Sequence, residues 1–158
     1  MGAELLGSYL DKQAITDLVH VTASLLDSEN FDGWLALFDE HSEYELTVYS
    51  PEIRKQMSWW KSDRDSLEKI LKEIPKHVRD PGRHLHVVTP ALVEVSGDSA
   101  RAISSFAAFR TTPDGETRVH VVGRYEDTLV KKAERWLYVL HKVVLETRLL
   151  QGFAHVPI

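Results

Sequence analysis

Cysteine is absent from all 158 residues. That gap removes disulfides, thiolate nucleophiles and every zinc or iron–sulfur site built on thiolates. An excess of base is missing too: 19 Lys and Arg stand against 24 Asp and Glu, a formal net charge of -5. An acidic chain is a poor match for a phosphate backbone or an anionic bilayer, so neither nucleic acid nor membrane is expected as a partner. No apolar run approaches the roughly 18 residues of a membrane span. The opening "MGAELLGSYLDKQA" lacks a basic stretch followed by an apolar core, and Leu6 stands where a myristoylation signal prefers Ser or Thr. The expected location is therefore the cytoplasm. GxSxG, a phosphate-cradling glycine loop and a dinucleotide fingerprint are missing as well, which leaves hydrolase, kinase and nicotinamide chemistry without support.

What is present suits one domain spanning residues 1–158, long enough to bury roughly 70% of its unfolded surface. Ile15, Leu18, Val19, Thr22, Leu25 and Leu26 recur at helical steps, predicting an amphipathic helix over 10–26. Asn30 or Asp32 can cap a short second helix that packs Phe31, Trp34, Leu35 and Phe38 inward. Tyr44, Leu46 and Val48 alternate as in a strand. Ser62 and Asp65 resemble a capping box for a third helix that carries Leu67, Ile70, Leu71 and Ile74 and ends at Pro75. Beyond Arg83, four runs near 83–95, 100–112, 117–130 and 135–149 are separated by "SGDS", "TPDGE" and "KKAE", predicting consecutive antiparallel strands. They are about twice the usual 5–6 residues, so a curved sheet is expected, with Pro90 and Gly123 as the places to bulge or kink. The fold class is α+β: a curved antiparallel or mixed sheet wrapped on three N-terminal helices, as a cone with an interior cavity.

Several residues could carry chemistry. His84 and His86 in "GRHLHVVTP" share one strand face, about 7 Å apart, and two histidines with a carboxylate can hold ferrous iron. The next carboxylate on that strand, Glu94, lies eight positions past His86, roughly 26 Å along an extended chain. No metal site is therefore expected, and a histidine pair at a strand entrance is the ordinary alternative. His141 shares a face with Leu137, Val139, Val143 and Leu145, where burial would keep it neutral. Asp27 ends the first helix. Asp27, His84 and His141 together would suffice for a stand-alone dehydratase, isomerase or cyclase, one group taking a carbon-bound proton and another protonating an oxygen. His120 falls with Val122, Arg124 and Glu126 on one face of its strand, opposite Val119, Val121 and Tyr125. Trp59 and Trp60, with Arg83 and Arg110, are candidates for a subunit interface, since Trp and Arg dominate binding hot spots.

Taken in order, "LLDSENFDGWLALFDEHSEYEL", "SWWKSDRDSLEKIL", "GRHLHVV" and "VHVVGRYEDTLVKKAERWLYVLHKVVLETRLL" resemble one family. Residues 15–158 are similar to the small (beta) subunits of Rieske-type aromatic-ring-hydroxylating dioxygenases. These belong to the nuclear-transport-factor-2-like superfamily of cystatin-like cones. The chain departs from the pattern at "YSPEIRKQ", where a shorter Pro-x-Arg segment is usual, and at Pro90, where Asn is common. The tail "RLLQGFAHVPI" resembles the family's C-terminal strand extension. The resemblance implies a single domain of this fold and a role in aromatic compound catabolism as a structural, non-catalytic subunit. The partner would be a larger alpha subunit, three copies of each, with a homotrimer or homodimer as the state of the chain alone. It also implies no catalytic residue and no cofactor in this chain; the Rieske [2Fe–2S] cluster and the mononuclear iron would sit in the alpha subunit. A chain without cysteine agrees, because a Rieske cluster needs two thiolates.

Overall fold

The computed structural model describes residues 2–76, 80–149 and 156–158. In chain order the elements are α1 (Gly2–Asp27), α2 (Phe31–Leu35), β1 (Phe38–Ser50), β2 (Lys55–Asp63) and α3 (Arg64–Glu73), then a 3-10 turn (Ile74–Lys76). They continue with β3 (Arg83–Val88), β4 (Leu92–Ser96), β5 (Ser99–Thr111), β6 (Thr117–Lys132) and β7 (Arg135–Leu145). Seven strands form one sheet in the order β2-β1-β7-β6-β5-β3, with β4 also on β5. Only the central β1–β7 pair is parallel among these pairings. The mixed sheet packed against helices is the α+β class the sequence predicts.

Helix α1 buries Ile15, Val19, Thr22 and Leu26, the expected stripe. It begins well before residue 10, and Leu5, Leu6, Tyr9 and Leu10 remain exposed. The first turns have no periodic apolar face; they extend a helix whose packed half supplies the nucleus. Thr22 Oγ1 bonds the Leu18 carbonyl and Tyr138 Oη, both at 2.8 Å, so a polar group sits inside the stripe at no cost in unpaired atoms. Asn30 caps α2 by accepting the Gly33 N–H at 3.0 Å. Asp63, not Ser62, caps α3, accepting the Ser66 N–H at 2.8 Å. Leu67, Leu71 and Ile74 go inward as expected, whereas Ile70 stays exposed.

One strand goes unanticipated and two sequence expectations are corrected. First, β2 (Lys55–Asp63) shows no apolar period because it is an edge strand, exposed on almost every residue, so nothing selects an inner face. Second, the run 83–95 is two strands. Pro90 cannot donate to a ladder, and Thr89 closes the gap from both sides: its N–H donates to the Ser105 carbonyl, and its hydroxyl accepts the Ser105 N–H at 3.0 Å. Third, the last strand stops at Leu145; Arg148 and Leu149 are not in strand. The rest of the expected tail extension falls largely outside the described residues.

The turns follow their chemistry. Gly115 in "TPDGE" takes φ +90° and Gly97 in "SGDS" takes +58°. In "KKAE", Ala133 and Glu134 adopt φ +46° and +60° without help from glycine, held by the Lys132–Arg135 pairing. Gly123 serves by size: a Cβ there would meet the Val144 carbonyl of the neighbouring strand. Between Ala108 and Phe109 the β5–β6 register slips, so that Val121 and Val119 are paired with consecutive β5 residues and His120 is the extra one. That bulge matters for the site.

Candidate functional site

A cavity of about 1080 Å³ opens between the C-terminal turn of α1, the start of β3, the bulge in β6 and residues 156–158. Its floor is apolar, with Ala23, Leu26, Val88, Ala108 and Ile158. Its polar groups come from distant parts of the chain. Asp27 arrives on α1, His84 and His86 on alternate residues of β3, and His120 from the β6 bulge. Strict alternation would turn His120 away from the side that holds Val121 and Tyr125. The inserted residue breaks that rule: Val119 is exposed while His120 turns to the cavity, its ring centroid 5.0 Å from that of His84.

Asp27 is fastened to His86. Its carboxylate oxygens accept the His86 backbone N–H at 3.1 and 3.0 Å, and Oδ1 lies 2.6 Å from ring Nδ1. These contacts tie the end of α1 to β3. Nε2 of the same ring is buried and has no hydrogen-bond partner among the described residues. Beside it, burial lowers the pKa of both His84 and His120 below the ordinary imidazole value, so these rings are neutral at neutral pH. Asp80 supports the rim. Arg110 Nε and Nη2 donate to its two oxygens at 2.6 and 2.5 Å, and the Gly82 N–H donates to Oδ1 at 2.9 Å. The guanidinium holds the Asp80 carboxyl well below the usual carboxylate range. A Cβ on Gly82 would come within 2.7 Å of Arg110 Nε, so any larger residue there would push the guanidinium off its present position.

The expected trio of Asp27, His84 and His141 does not converge. Asp27 and His84 share the cavity, but the carboxylate's partner is His86. His141 is fully buried behind the cavity wall, its Nδ1 2.6 Å from Asp127 Oδ1. Five aromatic rings surround it, those of Trp34, Phe38, Tyr44, Tyr125 and Tyr138. Burial raises the Asp127 pKa despite the opposing pull of His141. Of the interface candidates, Trp59 and Arg83 have exposed side chains on β2 and β3. Trp60 packs its ring on Tyr44, centroids 5.2 Å apart, and Arg110 is bound to Asp80. No group of three or more His, Asp or Glu side chains suited to a metal ion occurs among the described residues. His86 and His120 were the residues missed as a site. The alternation of His84 and His86 signalled the first; nothing local signalled the second, because a bulge depends on the register of two strands.

The comparisons with known proteins bear on this arrangement. The SnoaL-like domain model matches residues 8–139. The chain belongs to the SnoaL-like domain family. Among curated members, the beta subunit of 2-aminobenzenesulfonate 2,3-dioxygenase from an Alcaligenes species is 29% identical, over 94% of this chain and all of the relative. The beta subunit of the methanesulfonate monooxygenase hydroxylase from Methylosulfonomonas methylovora is 31% identical, over 92% of this chain and 86% of the relative. Within the SnoaL-like family the chain therefore belongs with oxygenase beta subunits. Among solved structures, a protein from Novosphingobium aromaticivorans assigned as an aromatic-ring-hydroxylating dioxygenase beta subunit superposes with a TM-score of 0.80 at 21% identity, over 89% of this chain and 92% of that one. An NTF2-like protein with a cystatin-like fold from the same species gives 0.70 at 22% identity, over 92% and 88%. These two establish the fold as the expected cystatin-like one.

Proposed function

We propose that the chain is the small, supporting subunit of a multicomponent oxygenase, assembled with a larger alpha subunit as three copies of each in the cytoplasm. The observation that carries this reading is the near full-length match to two oxygenase beta subunits, one of them 31% identical. The donor set agrees. A Rieske cluster needs two thiolates, which a chain without cysteine cannot give, and Asp27 is hydrogen-bonded to His86 rather than free to join it around an iron. The cluster and the mononuclear iron belong to the partner, which also selects the substrate. Both curated relatives are named for sulfonates, one aromatic and one not, so the substrate class extends past hydrocarbon rings to sulfonated compounds.

The subunit's own part is mechanical: it offers a rigid sheet and fixed side chains against which the partner's metal centres keep their spacing. Trp59 and Arg83, exposed on β2 and β3, are the residues we assign to that contact. The test is reconstitution with the alpha subunit and a reductase, following NADH-dependent hydroxylation of an aromatic sulfonate, methanesulfonate and an unsubstituted arene. Turnover that requires this chain supports the reading, and so does a loss of complex in Trp59→Ala. Full turnover by the alpha subunit without it, or turnover by this chain alone, overturns it.

A further inference from the structure

Helix α1 carries two apolar groups that point in different directions. Ile15, Val19, Thr22 and Leu26 face the core, while Leu5, Leu6, Tyr9 and Leu10 are 57% to 67% exposed. At 3.6 residues per turn, the centre of the second group lies about 140° round the helix from the centre of the first. The domain that buries one therefore leaves the other bare. Asp11 marks the boundary: its Oδ1 accepts the Trp136 Nε1–H at 3.0 Å and lies 3.0 Å from Lys131 Nζ. Ahead of that anchor, residues 4 to 10 are all exposed, a tip about 13 Å long. Past Leu10 the same side carries Gln13, Thr16, Asp17 and His20. The four apolar residues are thus a patch of two turns, not a repeating stripe.

A second bare apolar surface lies on the sheet, on the side away from Phe106 and Tyr125. Leu85 and Val119 flank β5 in one cross-strand row, Val87 and Val122 flank it in the next, and Leu92 faces Ile103 across the β4–β5 pair. These six are 36% to 78% exposed. At those fractions they leave roughly 500 Å² of apolar side chain in solvent, at the upper end of what a monomer shows. The tip of α1 leaves a similar amount. Joined, the two would remove roughly 1,000 Å², the least that a specific contact needs.

The shapes decide what meets what. A patch of two turns is too short to zip with another helix, which takes three or more heptads. A sheet face accepts a helix without such a repeat. The chain's own outer face is out of reach, because α1 packs on β3 and β4 from the core side of the sheet. Pairing two copies sheet to sheet would cover that face and leave the tip bare. Charge at the margins agrees: Glu4 on the tip and Arg101, two residues before Ile103 on the outer face, are opposite in sign, and neither has an ion pair among the described residues.

We propose that the tip of α1 in one copy docks on the outer face of β3 to β6 in a second copy of this chain, head to tail. Because the two surfaces differ, the contact is heterologous, and repetition closes it into a ring. The contact needs no larger subunit; only the number three for that ring rests on the function proposed above.

The test uses the purified full-length chain alone, by size-exclusion chromatography with light scattering. Wild type is expected as a multimer, three chains in the ring. The tip variant Leu6→Asp, Leu10→Asp and the face variant Val87→Lys, Leu92→Lys each fall to a single chain. All four positions are exposed, so both variants should keep the wild-type circular dichroism and melting temperature. An equal mixture of the two restores one contact and gives a two-chain species, the intact tip of one on the intact face of the other. A chemical link gives a reading free of these charges. The chain has no cysteine, so Leu6→Cys and Val87→Cys each place one thiol. A bismaleimide should join the two variants in a mixture and neither to itself. A single-chain mass for wild type, an unchanged mass for the tip variant, no two-chain species on mixing, or Val87→Cys linking to itself each overturns the proposal. None of these readings depends on whether a larger subunit binds.

Discussion

Two Asp–His pairs in this molecule have the same inner geometry and opposite surroundings. In both, an aspartate oxygen lies 2.6 Å from imidazole Nδ1, and in both Nε2 has no partner among the described residues. Asp27–His86 lines a cavity, with side chains 18% and 5% exposed. Asp127–His141 has none of its side-chain surface exposed and is closed in by five aromatic rings. A short carboxylate–imidazole contact is therefore not a site in itself. What makes one is access: the first pair has space in front of it, while the second is packed as part of the core and joins β6 to β7 through residues directly opposite each other.

Removing a carboxylate from each pair should separate the two roles. Asp127→Ala breaks a fully buried pair and leaves His141 with two unpartnered nitrogens among apolar rings, which should cost about 3–5 kcal/mol in denaturant unfolding. A cost under about 1 kcal/mol would mean that water reaches that core. Gly123→Ala touches neither pair but drives a methyl into the Val144 carbonyl between the same two strands, and should cost about 1–3 kcal/mol by overpacking. Asp27→Ala unpairs the His86 amide at the cavity's edge, where solvent can partly replace the lost acceptor, so about 1–2 kcal/mol is expected. If Asp27→Ala were the more damaging of the two aspartate variants, the distinction between a cavity pair and a core pair would fail.

The smallest expected effect is pH-dependent. His84 and His120 have folded pKa values below their ordinary 6.5 because burial disfavours the charged ring. A depressed folded value means that the unfolded chain takes up more protons as pH falls. Their contribution is present in full above pH 6.5 and is lost as pH drops through the folded values. The melting temperature should fall between neutral pH and pH 5, and the double variant His84→Asn, His120→Asn should flatten that slope. Asp80 acts lower on the scale: its stabilisation by Arg110 is present above the ordinary carboxylate value of 3.8 and fades as pH falls below it. Arg110→Met should remove that second decline.

The histidine pair in "GRHLHVVTP" shows how far the sequence reaches. Alternation placed His84 and His86 on one face, and the carboxylate spacing along the strand argued against a metal. Neither could show that Asp27, 59 residues earlier, would close on His86. That contact depends on where α1 ends relative to β3. His120 was placed on the wrong side because period-two logic assumes an unbroken ladder, and one inserted residue reverses it. Edge strand β2 was silent for the converse reason: with both faces largely in solvent, its residues obey no pattern. The α+β class, the buried stripe of α1 and the caps of α2 and α3 to within one residue were legible, since each rests on local chemistry; Pro90 was legible as a weak point, though not as the end of a strand. The oxygenase kinship was legible as well, through the order of several motifs rather than any one of them.

The most direct measurement of the subunit role is the mass and composition of the complex. An affinity-tagged alpha subunit carrying the Rieske ligands is co-expressed with this chain and passed through size-exclusion chromatography with light scattering. Equal numbers of the two chains in a single peak, at the mass of three of each, is the expected result. Elution of this chain apart from a fully loaded, fully active alpha subunit would contradict it.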